Sequence, residues 1–555
     1  MLTDQLQHPV SEGVLSNGYR KIRKAYAKQI DGTGLALFRI VFSTVLLAEV
    51  VNLFYFKELI FDAVPFIEPS EMSFAGPLVL WMVAVVLLIL GLFTRAAAIA
   101  NYVFILLFFS SVRTYVYMMT PVYVSISFLF LFLPIGQCLS LDRVWRTVRA
   151  SSTGSFSPPP CTVSQLAYYV PVIVGIAFVY FDSTLYKLTA PLWLKGLGMW
   201  KPMSSPFEMG SNGTFILNQE VLVKFLGYLT LVFEFFFLFL FPFRKFRAGL
   251  MVIGVGLHVG VLLFFNLPFF ALGFGSIYLL MVPVSYWRRW FKARPDRGLA
   301  AWLLRRPWLR RLIEAISRRP APAGTESADT YRVDTNQAAT DQEHAKLSHS
   351  LREWKLAGIT AGLATLTLLQ GAVSYNSTLV QLLREKSGLD NTLVGQGLAR
   401  LTLASTVPSR KFLGITNHPI ALDEHFAGYT RIVAVTYVGP DGVEQFLPII
   451  RADGQPGAYL YGVLWLKWTY DIVTKKIDQP RLEKGIRNFT AFWATKNHVD
   501  LNHCQFKVKV KKIREATEWQ PNFLEEQRAA PWIEAGVVTW ENQQFTAQLT
   551  DIPAL

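Results

Sequence analysis

Charge is what this sequence has least of for its size: only 17% of its 555 residues are Asp, Glu, Lys or Arg, against roughly 25% in soluble domains. That shortage argues against a chain built wholly of soluble domains. Cysteine is scarcer still. Cys138, Cys161 and Cys504 are the full set, too few and too scattered for a disulfide framework, and they say little about redox compartment. No apolar stretch with a small-residue cleavage site precedes Leu35. A cleavable signal peptide is therefore not expected, and the first apolar run would act as an uncleaved anchor. Acidic residues are outnumbered by basic ones, giving a net charge of +15. That excess does not imply a nucleic-acid partner, because Lys and Arg lie mostly between apolar runs, where they set membrane orientation.

Hydrophobic residues are abundant, at 52%, and they are gathered in long runs through the first 290 residues. A helix needs roughly 20 mostly apolar residues to cross a bilayer. Runs of that kind cover 35–56, 75–93, 97–116, 120–138, 166–186, 221–242, 247–265, 268–287 and 356–375. The ninth is the least apolar. The sequence thus predicts a polytopic α-helical membrane bundle of eight or nine spans.

The basic residues test that count. Arg20, Lys21, Arg23, Lys24 and Lys28 precede the first run; Arg95 follows the second; Arg143, Arg146 and Arg149 follow the fourth; Arg244, Lys245 and Arg247 follow the sixth. Residues 288–319 are rich in Arg, whereas 57–74 carry Glu58, Asp62, Glu68 and Glu71. The alternation predicts nine spans with the N-terminus cytoplasmic and the C-terminus outside.

The domains predicted are a basic cytoplasmic tail (1–34), the bundle (35–290), an Arg-rich segment with a flexible linker (291–355), the ninth span (356–375) and an extracytoplasmic domain (380–555). In the third of these, residues 288–320 interleave Trp and Leu with Arg, as interfacial helices on anionic lipid do; a cytoplasmic helical loop reads the same way. Residues 320–350 have the low apolar content of a flexible linker. Further on, two β-rich runs flank Gly439-Pro440-Asp441-Gly442 as a hairpin would. Helices over 457–475 and 480–496 and strands over 505–513 and 535–549 complete a soluble α+β domain.

Ionisable groups inside spans are costly and usually face the bundle interior. Here they are Arg39, Glu49, Arg113, Asp182, Lys187, Glu234 and His258. Plain structural readings exist beside this: Arg39 and Arg113 snorkel to the surfaces, Glu49 and Glu234 partner those cations, His258 bonds a neighbouring helix, and Lys187 sits at the interface. The functional reading is that several line one cavity. A desolvated lysine there is easier to deprotonate and can serve as a general base. In the outer domain His498, Asp500, His503 and Cys504 cluster, as do Asp423, Glu424 and His425, but neither group has an established zinc spacing. No metal site is assigned.

Several stretches resemble a known family. They are GLALFRIVFSTVLLAE in the first span, LGLFTR closing the second, LPIGQCLSLDRVW after the fourth, VYFDSTLYKLTAPLWLKG across the fifth and FEFFFLFLFPFRKFRAGLMVIGVGLHVGVLLFFNLPFFALGF over the sixth to eighth. Residues 30–290 are similar to the HTTM membrane domain, the family of vitamin K-dependent γ-glutamyl carboxylase. The resemblance implies a reduced quinone, a vitamin K-like hydroquinone, as cofactor, with Lys187 and His258 as the catalytic residues, Lys187 being the base, and with Glu234 at a matching position. Arg39, Arg113, Asp182 and Glu234 are the supporting intramembrane polar residues. Two departures stand beside the match. Asp182-Ser183-Thr184 is more polar than the family stretch, and Thr120 to Val124 hold no counterpart of the carboxylase's assisting histidine. A quinol-dependent oxygenase or epoxidase, without γ-carboxylation, is the enzymatic expectation. The alternative is a non-catalytic factor that matures, exports or binds a secreted peptide or protein client through its outer domain. The prokaryotic character of the match implies a bacterial inner membrane, with the bilayer as the first partner.

Overall fold

Apolar runs flanked by charge fold here as a helical bundle. The computed structural model describes residues 14–110, 118–152, 160–211, 213–291, 335–462, 464 and 478–555. Along the chain come α1 (Thr33–Tyr55), α2 (Ala75–Leu90), α3 (Thr94–Ile105, carried on by a π turn to Ser110) and α4 (Thr120–Phe130). They are followed by α5 (Gln165–Lys187), α6 (Glu220–Leu240), α7 (Arg247–Phe264), α8 (Pro268–Leu280) and α9 (Thr335–Ser374). Every predicted span therefore contains a helix, yet they differ in length. Five have the length and apolarity to cross a membrane: α1, α5, α6, α7 and the Glu353–Ser374 part of α9. The helices α2, α3 and α4 are shorter, and α8 meets Val284–Trp290 at a 92° bend. Pro283, with no N–H to donate, precedes that second piece. Where eight or nine spans were expected, the described helices supply five of full length, or six if the bent pair is one.

The outer surface of the bundle is apolar. Val79, Leu80 and Val83 on α2 and Phe225, Val232 and Phe239 on α6 are all exposed, a distribution suited to lipid rather than water.

Three of the family-like stretches meet at one end of the bundle. Arg39 is fully buried on α1. Its guanidinium donates to the carbonyls of Ile135 (2.7 Å) and Leu139 (2.6 Å), which follow α4. It therefore does not snorkel. Gly91 ends α2 in the left-handed region (φ 64°), and a Cβ there would collide with Ser140 and the Arg39 guanidinium. Asp142 accepts from the N–H groups of Phe93 and Thr94, both at 2.8 Å, at the start of α3. Cys138 and Cys161 are disulfide-paired beside this cluster. Charge placement assigns the same end to the cytoplasm, where thiols are ordinarily kept reduced.

Helix α9 begins at Thr335, inside the stretch predicted to be a linker. Its Ala, Gln, Glu and Lys residues are good helix formers, and they prolong a helix already started by the apolar run. The rest of the linker and most of the Arg-rich segment lie outside the described residues, as does most of the helix predicted over 457–475.

Beyond α9 come α10 (Thr378–Ser387) and α11 (Leu393–Pro408) and then a five-stranded antiparallel sheet. Its strands are β1 (Arg431–Val438), β2 (Glu444–Phe446), β3 (Cys504–Lys512), β4 (Trp532–Glu541) and β5 (Gln544–Leu549), in the order β2-β1-β3-β4-β5. The predicted hairpin is the β1–β2 pair, with Val438 opposite Glu444. Helix α12 (Gln479–Lys496) covers one face of the sheet. Trp493 packs on Tyr437 and Phe506, and Trp540 donates from Nε1 to Thr490 Oγ1 at 3.0 Å. This domain sits on the end of the bundle opposite Arg39. Phe492 packs on Phe56, Lys201 pairs with Glu515 at 3.0 Å, and Trp519 donates to the Leu217 carbonyl.

Candidate functional site

Helix α5 is interrupted by a π turn at Ile173–Ala177, two residues after Pro171. A π turn inserts one extra residue and re-aims the side chains beyond it; such turns are frequent at functional sites. Past it, residues three and four apart share a face. Tyr180, Ser183 and Lys187 line a cavity between α5, α6, α7 and α8. Asp182 and Tyr186 lie on another face, toward α9: Asp182 Oδ1 accepts from Ser374 Oγ at 2.7 Å, and Tyr186 donates to the Asn376 carbonyl.

The cavity measures about 110 Å³, where one water needs roughly 10–15 Å³. Its walls are mostly apolar, with Val261, Phe270 and Phe274 from α7 and α8. The polar groups are few and placed. Lys187 Nζ donates to both carboxylate oxygens of Glu234 at 2.7 Å, and both residues are buried. Trp193 presents its ring to the same ammonium, 4.5 Å from the centroid. On the far wall His258 Nε2 is hydrogen-bonded to the Tyr180 hydroxyl at 2.7 Å, and Tyr180 in turn to Tyr278 at 2.8 Å. Phe274 stacks on the imidazole, with ring centroids 5.2 Å apart.

The loop after α5 and the segment after α11 together close the outer end. Ile420, Ala421, His425 and Phe426 line the cavity from above. Trp193 Nε1 donates to the Ala421 carbonyl at 2.7 Å, and the Leu192 N–H donates to Asp423 Oδ2 at 2.7 Å. Gly198 allows this arrangement, since a Cβ there would run into the Trp193 indole. Below this roof stands Glu208, 4% exposed and also lining the cavity. Burial pushes its carboxyl up to about 8. Outside the roof, a polar vestibule lined by Tyr186, Asn376, Gln381, Asn417 and Glu424 shares His425 with the cavity.

Of the residues singled out in the sequence, the structure brings Lys187, Glu234 and His258 together. Asp182 belongs elsewhere: its Oδ2 accepts from the backbone N–H of His418 at 2.6 Å, so it ties α5 to α9 and the roof. Arg39 is at the opposite end of the bundle, and Glu49 is buried on α1 away from the cavity lining. Arg113 lies outside the described residues. Glu234 partners Lys187 rather than an arginine. Cys504 donates to the Asp500 carbonyl, and burial raises its thiol to about 11. Among the described residues no three His, Cys, Asp or Glu side chains gather as metal ligands would.

Sequence reasoning passed over Tyr180, Tyr278, Trp193 and Glu208, whereas His425, singled out only with Asp423 and Glu424 as a cluster without zinc spacing, lines the cavity. The first three read as ordinary aromatics of apolar stretches. Glu208 stands alone in a neutral loop, SSPFEMG, which is an unusual place for an acid, and that was the available signal.

The class these features define is a helical bundle with apolar helices, a cavity holding a buried lysine–carboxylate pair, and an α+β domain at one end. No family model, curated protein or solved structure matches the chain.

Proposed function

We propose that the chain is an HTTM-like protein of the bacterial inner membrane, N-terminus cytoplasmic and sheet domain outside, that oxygenates a hydroquinone. The overall reaction is hydroquinone plus O2 giving quinone epoxide plus water, which balances atoms and electrons. The observation that carries this reading is the convergence of Lys187, Glu234 and His258 on one largely apolar cavity. Apolar walls with a few convergent polar groups suit a small aromatic ligand. Phe270, Phe274 and Trp193 supply aromatic wall to the cavity, which has room for several waters' worth of ligand. Lys187 acts as the base. In the ion pair it is an ammonium, so a proton must first cross the 2.7 Å to Glu234, leaving a neutral amine to take the hydroxyl proton of the substrate. Glu234 is thus the proton store of the base. The bond from His258 to Tyr180 fixes that imidazole as part of the wall.

The test is direct. Purified protein in lipid nanodiscs receives reduced menaquinone or vitamin K with oxygen, and epoxide is followed by mass spectrometry. Epoxide from wild type and none from Lys187→Ala supports the proposal; a folded wild type giving none with any quinol defeats it.

A second reading is favoured by one feature of the outer domain. Among the described residues strand β5 pairs with β4 alone, leaving its other edge without a partner strand, and an extended peptide can add to such an edge. On this reading the outer domain holds a secreted client and the bundle anchors it. Amide exchange of 544–549, slowed by an added client peptide in a protein lacking quinol activity, would move the assignment here.

A further inference from the structure

Helix α11 is inside out. A helix at the surface of a water-soluble domain buries its apolar face and exposes its polar one. Here the buried positions are Gly395, Thr402 and, in the π turn that continues the helix to Leu413, Ser409. They are seven apart and form one narrow stripe. Leu393, Val394, Leu398, Leu401, Leu403 and Val407 all face outward, with Leu393 88% and Leu403 65% exposed. Arg400 is the one charged residue between 393 and 408. Small and hydroxyl residues turned to neighbouring helices, with branched apolar residues turned away, is the pattern of helices packed in lipid.

The end of the helix is seated on the bundle. Tyr102 of α3 donates to the Phe412 carbonyl, and Ser125 of α4 donates to the Leu413 carbonyl at 2.8 Å. Gly414, in the left-handed region (φ 66°), makes the turn, and a Cβ there would collide with the Pro121 carbonyl. The bare apolar face is therefore carried by helices whose own outer faces, such as Ile99 and Val103 on α3, are equally apolar.

We propose that residues 393–409, ending before the exposed cations Arg410 and Lys411, lie in the hydrocarbon of the bilayer, as a further lipid-facing helix within the stretch that hydropathy assigns to the extracytoplasmic domain. The inference rests on the membrane reading above. It also gives the helix a role. From Gly414 the chain runs directly into Ile420–Phe426, which roofs the cavity, so the roof is moored to an element held by lipid.

The experiment uses the full chain in nanodiscs containing a phospholipid with a diazirine on its acyl chain. After photolysis, labelling is read peptide by peptide by mass spectrometry. A parallel sample receives a water-soluble carbene reagent. The α2 peptide is the lipid-facing control, and the turn bearing exposed Val443 is the water-facing one. Acyl labelling of 393–409 at the level of α2, roughly tenfold above the Val443 turn, is expected. If α2 is labelled but 393–409 reacts only with the aqueous reagent, the helix lies in water and the proposal fails. Protection from both reagents means a second copy or another protein covers the face, which also overturns it. If α2 itself escapes the acyl reagent, the membrane reading fails instead.

Discussion

Lys187 and Glu234 form a closed pair, with the ammonium 2.7 Å from both carboxylate oxygens and the Trp193 ring stacked over the cation. Both are buried, one on α5 and one on α6. Breaking a buried pair from one side leaves an uncompensated charge, at a cost of about 3–5 kcal/mol. Lys187→Met should therefore destabilise strongly, and adding Glu234→Gln should recover most of the loss. Thermal unfolding in nanodiscs compares the two variants with wild type. Epoxide formation should be absent from both variants, separating a catalytic effect from a folding one. Recovery of stability together with activity in the double variant would remove Lys187 from the proposed chemistry.

Glu208 gives a pH dependence with a definite sign. Its carboxyl is raised from 4.5 to about 8 by burial, so the folded protein holds a proton there that the unfolded chain releases. Its stabilising contribution is fully present below pH 4.5 and is lost as pH rises through about 8. The midpoint of unfolding should fall across that window, and Glu208→Gln, which mimics the protonated acid, should flatten this part of the slope. An unchanged slope in the variant would mean that Glu208 reaches water.

Asp182 should behave as a structural tie. Its two oxygens accept from Ser374 Oγ and the His418 N–H, and hydrogen bonds to charged groups contribute roughly 1.5–3 kcal/mol each. Asp182→Ala is expected to loosen the roof and speed proteolysis between 414 and 430, with cleavage mapped by mass spectrometry. Cleavage at the wild-type rate would show that the roof is held by its other contacts, including Trp193 and Leu192.

The Tyr180 hydroxyl serves two partners, His258 and Tyr278. Tyr180→Phe leaves both short of a bond, at about 1–3 kcal/mol for each buried group left unpaired. In a cycle with His258→Phe, the two losses should fail to add by about 0.5–3 kcal/mol. Additive losses would mean the two side chains are not coupled.

Hydropathy and charge placement located nine helices because burying apolar surface away from water is local arithmetic along the chain. The strands of the sheet domain were equally visible, since β-rich runs alternate around a Pro-Asp-Gly turn. Two features escaped. Residues 335–350 are polar yet helical, because a helix once started propagates through good formers. Helix α11, with Gly, Gln, Arg, Ser and Thr among its leucines, lacks the hydropathy of a span, and its reversed polarity shows only when the side it packs on is known.

By itself, then, the sequence determined a bundle of apolar helices, a sheet domain beyond it, and the few polar residues worth watching. Tertiary structure decided which of them meet. Lys187, Glu234 and His258 lie on three helices, and an extra residue in the π turn before Phe178 changes which side of α5 each later residue occupies. Asp182 and Lys187 are five apart on one helix, and the structure sends one to α9 and the other to the cavity. Composition fixes how costly each buried charge is; only the packing of helices around that π turn supplies the partner that makes the burial tolerable.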